Sequence, residues 1–106
     1  MNEAEIIKII NEDPLVLGYF SQPSCTVCKT LRPKVEALVH KYQGITFLYI
    51  DTQGHPGLGG QNMIFAVPIL VLFRQGKEVK RFSRYIAIKE LQMEIERYHN
   101  YSTNVP

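Results

Sequence analysis

The chain has no tryptophan, and only two cysteines among its 106 residues. Two cysteines cannot staple a disulfide-rich secreted scaffold. No apolar run approaches the ~18 residues that a spanning helix needs. The start, Met1-Asn2-Glu3-Ala4-Glu5, is acidic, and Lys8 interrupts the isoleucines that follow, the reverse of the basic-then-apolar order of a secretory leader. The expected location is the cytoplasm. Excess charge of one sign is scarce too: 12 Lys and Arg against 10 Asp and Glu leave only +2, a mild basicity that gives no general footprint for nucleic acid. His40, His55 and His99 stand far apart and form no metal-binding pair, whereas a zinc site beside two cysteines needs two further ligands. Gly54, Gly57, Gly59 and Gly60 match neither G-x-G-x-x-G nor a loop ending in Gly-Lys-Ser/Thr, so no phosphate cradle is expected. There is no internal repeat and no linker.

What is present is an ordinary globular balance, 45% hydrophobic and 21% charged, in a length that holds one domain, residues 1–106. Asn2 with Glu5 three residues on fits a capping box, opening an amphipathic helix that ends at Asn11-Glu12-Asp13-Pro14. Three apolar runs of strand length lack alternation, as strands covered on both faces do: Leu15–Phe20, Ile45–Ile50 and Pro68–Phe73. Between the first two, Leu31, Val35, Leu38, Val39 and Tyr42 recur at helical spacing in a helix expected from Cys25 to Gly44. Residues 52–62 read as a loop with room for one helical turn. Arg74-Gln75-Gly76-Lys77 turns into a more polar strand, Glu78–Phe82, and Ile88, Leu91, Ile95 and Tyr98 predict a last helix over 86–99, with a frayed tail beyond. The order αβαβ(α)ββα makes the first two strands parallel with a right-handed crossover and the last two a hairpin.

The chemistry concentrates at Cys25-Thr26-Val27-Cys28. Residues three apart on a helix have Cβ atoms about 5–6 Å apart, so the two thiols can close a disulfide with little backbone motion. A helix beginning at Cys25 sets that sulfur beside unpaired first-turn amides and the positive end of the dipole, both of which stabilise a thiolate. Cys28, one turn further in, lacks that exposure. The asymmetry makes Cys25 the attacking thiol and Cys28 the resolving one.

The chain resembles the thioredoxin family over nearly its whole length. LVLGYF stands before CTVCK, Pro33 lies inside the following helix, Tyr49-Ile50-Asp51 ends the next strand, Val67-Pro68 precedes a strand, and FRQGKEV forms a hairpin before a final helix. The resemblance implies an α/β fold with a four-stranded mixed sheet in the order 2-1-3-4, without the family's extra N-terminal strand. It implies a thiol-disulfide oxidoreductase acting on protein disulfides through Cys25 and Cys28, as a monomer, with an external thioredoxin reductase-type electron donor. No cofactor beyond the reversible disulfide, no metal, no nucleic acid and no membrane enters that expectation. It also implies a cis Val67-Pro68 bond against the cysteines, with Val67 offering backbone groups to an extended substrate peptide.

The departures bear on activity. Ser24-Cys25-Thr26-Val27-Cys28 replaces the usual Trp-Cys-Gly-Pro-Cys, Tyr19 stands where the family carries a buried aspartate, and Phe47 replaces that aspartate's lysine neighbour. A tyrosine near pKa 10 is too weak an acid to take the resolving thiol's proton at neutral pH. Ser21-x-Pro23-x-Cys25 is similar to glutaredoxins, but GKEVKRFSR replaces their glutathione-holding Gly-Gly-x-Asp. The alternatives are a glutathione-dependent exchanger and a thioredoxin-fold adaptor that responds to redox state without turnover. Arg74, Lys77, Lys80, Arg81 and Arg84 cluster on the hairpin, where charge blocks edge-to-edge aggregation.

Overall fold

The computed structural model describes residues 1–83 and 85–104. Helix α1 (Glu3–Glu12) opens on the expected capping box: the Glu5 amide donates to Asn2 Oδ1 at 2.8 Å, and the Asn2 amide donates to Glu5 Oε1. Replacing Asn2 with Ala should cost about 1 kcal/mol. Urea unfolding checks this through a lower midpoint at unchanged slope.

Strands β1 (Leu15–Ser21), β2 (Ile45–Asp51), β3 (Ile69–Arg74) and β4 (Lys77–Ser83) form one sheet in the order β2-β1-β3-β4. The first pair is parallel; the other two are antiparallel. The sheet is thus the mixed 2-1-3-4 arrangement expected. β1 is buried along its whole length because layers pack on both faces. On one face, Leu15, Leu17 and Tyr19 meet Cys28, Val35, Leu38 and Val39 of helix α2 (Thr26–Val39) and Leu91 and Ile95 of helix α4 (Ile88–Asn104). On the other, Val16 and Phe20 meet Ile6 and Ile10 of α1 and Leu58 of helix α3 (Pro56–Gln61). Each such side chain removed from water contributes roughly 1.5–3 kcal/mol. Among the described residues, no helix is long and apolar enough to cross a membrane.

Boundaries differ from the sequence expectation in four places. Cys25 is the N-cap of α2 rather than its first helical residue. That helix ends at Val39 rather than Gly44; Lys41 and Tyr42 instead donate to the carbonyls three residues back, a tightened turn that Gly44 leaves at φ +85°. The single helical turn for which residues 52–62 leave room is α3, six residues long: proline at its first position and a buried Leu58 outweigh three glycines. The last helix starts at Ile88 and runs to Asn104, past the predicted end at His99, because nothing before Pro106 breaks it. Arg84 and residues 105–106 lie outside the described residues.

Candidate redox site

The end of β1 and the start of α2 bring Cys25 and Cys28 together as a disulfide, Cα–Cα 5.3 Å. The Cys25 amide donates to the Gln22 carbonyl, so Gln22-Pro23-Ser24 makes the turn between strand and helix. Cys25 then caps the helix with sulfur in place of the usual oxygen: the Cys28 amide donates to Cys25 Sγ at 3.1 Å. A thiolate formed there on reduction keeps that donor and the dipole's positive end, both favourable to negative charge. Cys25 is half-buried, and Cys28 has no solvent contact. The N-cap position therefore carries the electrostatic asymmetry that the sequence places at the first helical residue.

Beneath the pair lies Tyr19, fully buried, whose hydroxyl donates to the Cys28 carbonyl at 2.8 Å. Burial, with the neighbouring Tyr49 adding to it and Arg32 opposing it, pushes this hydroxyl's pKa up to about 12. Its ring packs on Tyr49 (centroids 5.1 Å) and Phe47 (6.1 Å), the residue in the lysine position. Tyr49 hydrogen-bonds Ser21 Oγ at 2.7 Å, and the Arg32 guanidinium lies 3.8 Å over its ring while also pairing with Glu36. An aromatic and cationic stack thus replaces a buried carboxylate below the cysteines. Helix α2 passes through Pro33 unbroken.

The Val67–Pro68 bond is cis, with Pro68 buried at the entry to β3. Val67 and Pro68 share a surface depression of about 570 Å³ with Val27, between the cysteines, and Tyr85. Val27 is 59% exposed and Tyr85 98% exposed, so this face is apolar and open. The structure therefore brings Cys25, Cys28, Val67 and Pro68 to one side of the molecule. Sequence reasoning missed Val27 and Tyr85: exposure leaves no periodic signal, and Tyr85 reads as an ordinary residue before a helix.

A sheet of this order, with a disulfide at the start of the helix after its first strand and a cis proline at the entry to β3, defines an α/β protein with a cysteine pair at the helix N-terminus. This chain belongs to the thioredoxin family, whose model matches residues 2–97. It is similar to the thioredoxin of Chlamydia trachomatis, 39% identical over 67 residues that span 63% of this chain and 66% of that protein. The thioredoxin-like protein YdfQ of Bacillus subtilis is 28% identical over 76% of this chain and 72% of its own length. Among solved structures, a mutant thioredoxin from Halobacterium salinarum superposes with a TM-score of 0.84 at 26% identity, covering 93% of this chain and 87% of that one. Thioredoxin 1 of Thermosipho africanus gives 0.75 at 31% identity over 84% and 99%.

Proposed function

We propose that this chain reduces protein disulfides. The observation that carries the proposal is the placement of Cys25, half-buried at the N-cap, with its Sγ already accepting an amide hydrogen bond and bonded to a buried partner. In the reduced protein the Cys25 thiolate attacks one substrate sulfur. A Cys25–substrate bond forms, and the other substrate sulfur leaves as a thiol. The Cys28 thiolate then attacks Cys25 Sγ, releasing the second substrate thiol and leaving the Cys25–Cys28 disulfide. Two electrons pass to the substrate, and a reductase of the thioredoxin reductase type returns them. Val67, at the cis bond beside the depression, offers backbone groups to an extended substrate peptide as a strand edge does. The chain works as a cytoplasmic monomer on protein substrates, with no cofactor beyond its own disulfide.

Insulin reduction coupled to a thioredoxin reductase, run beside the same assay driven by glutathione, tests this. Turnover with the reductase is expected. Turnover with glutathione alone would assign the chain to the glutathione-dependent class, and turnover with neither would make it a redox-responsive adaptor. At limiting iodoacetamide and neutral pH, the reduced protein should be labelled at Cys25 before Cys28; preferential labelling of Cys28 would reverse their roles.

A further inference from the structure

Arg81 looks from the sequence like one more charge on an edge strand, yet its guanidinium is held by side-chain and backbone partners. β4 carries a bulge: Leu72 pairs with Lys80, but the next residue, Phe73, pairs with Glu78. In a regular strand residues three apart face opposite sides. The extra residue turns Glu78 and Arg81 to the same face, opposite Phe73 and Val71. There Glu78 grips the guanidinium at two points, Oε2 to Nε at 3.0 Å and Oε1 to Nη2 at 2.8 Å. The fork that remains points at the end of α3. Arg81 Nη2 donates to the Asn62 carbonyl at 2.7 Å and Nη1 to the Met63 carbonyl at 3.3 Å.

Those carbonyls sit where a helix runs out of partners. α3 closes with the Ile64 amide on the Gly59 carbonyl and the Met63 amide on the Gly60 carbonyl, and Met63 takes the left-handed conformation, φ 53°, that usually falls to glycine. A cation there meets both the unpaired carbonyls and the negative end of the helix dipole. From this cap the chain runs directly through Phe65, 87% exposed, to the cis Val67–Pro68 bond.

We infer that Arg81, aimed by Glu78 across the bulge, is a positioning residue that latches residues 62–67 and so sets Val67 and Pro68 for the substrate. It rests on the reading of those two residues as the substrate edge. Arg81 reaches neither cysteine and takes no part in the exchange chemistry.

The test compares Arg81→Met, Arg81→Lys and Glu78→Gln with the wild type, using insulin and, separately, a small aromatic disulfide that needs no peptide groove. Arg81→Met is expected to raise KM for insulin roughly tenfold, the equivalent of about 1.4 kcal/mol, with kcat and the small-disulfide rate within about twofold. Arg81→Lys keeps the charge without the fork and should recover part of the loss. Glu78→Gln, which leaves the cap residue in place, should show a smaller change in the same direction. Amide hydrogen exchange at Ile64–Val67 should quicken in Arg81→Met while the β1 amides stay protected. Unchanged KM and unchanged exchange in a folded Arg81→Met would overturn the latch, as would equal losses with insulin and the small disulfide. A wild type that fails to reduce insulin would refute the proposed function instead, and the exchange measurement would still decide the latch.

Discussion

A Cys25→Ser variant is expected to lose protein-disulfide turnover by roughly three orders of magnitude or more, because an enzyme without its nucleophile keeps only binding. Cys28→Ser should fail differently. Its Cys25 still attacks, but no second thiol is present to resolve the adduct, so the chain should accumulate as a mixed disulfide with substrate. The proposed order of these roles rests on two observations: Cys25 Sγ receives the Cys28 amide at the helix N-cap, while Cys28 has no solvent contact. Non-reducing electrophoresis reads both outcomes. Stable adducts with Cys25→Ser, or none with Cys28→Ser, would reverse the assignment.

The second large effect lies at Tyr19. Its hydroxyl is committed as a donor to the Cys28 carbonyl and holds its proton to about pH 12, so it cannot accept a proton from Cys28 at neutral pH. Burial disfavours a thiolate, and with a tyrosine in place of a carboxylate below the pair the resolving step should be slow and should quicken as pH rises. In single-turnover resolution of a mixed disulfide, the wild-type rate should climb between pH 6 and 8; a flat profile would show that proton removal does not limit it. Tyr19→Phe should leave the pH profile where it is and cost about 1 kcal/mol, the value of one hydrogen bond. Tyr19→Asp should raise the rate near neutral pH and cost roughly 3–5 kcal/mol, since it trades rings packed on Phe47 and Tyr49 for a buried carboxylate. The same hydroxyl gives a stability signature in alkali. The unfolded chain releases this proton near pH 10, the native state near 12. The stabilising increment is therefore complete below pH 10 and is lost as pH rises from 10 to 12. Urea midpoints across that range should fall less steeply in Tyr19→Phe.

The unbroken apolar runs at Leu15 and Pro68 mark covered strands, and the covering layers are there, α2 and α4 on one face and α1 and α3 on the other; the run at Ile45 reads the same way, but β2 lies at the sheet edge and only its Leu48 and Ile50 are buried. Helix α3 was hard to read because its residues disfavour a helix in isolation; Leu58 buried against the sheet decides it. The cysteine pair was legible because its spacing alone brings the sulfurs within reach. Tyr19 was legible as a departure from the family, but its bond to a backbone carbonyl was not, since composition at one position does not say which atom of a neighbour it meets. Arg81 reads in the sequence as surface charge because the carbonyls it meets lie 18 and 19 residues away and its face is set by a bulge that leaves no mark in the hydrophobic pattern. Val27 and Tyr85 sit in the open, where no burial constrains residue type.

Mixing the fully reduced chain with an equal amount of a protein carrying one accessible disulfide, with no other reductant present, tests the central claim most directly. Intact mass and peptide mapping should show this chain losing two hydrogens as Cys25 and Cys28 join, and two thiols should appear in the substrate for each chain oxidised. A substrate that keeps its disulfide while Cys25 and Cys28 stay reduced, or that opens without the pair closing, would contradict the account.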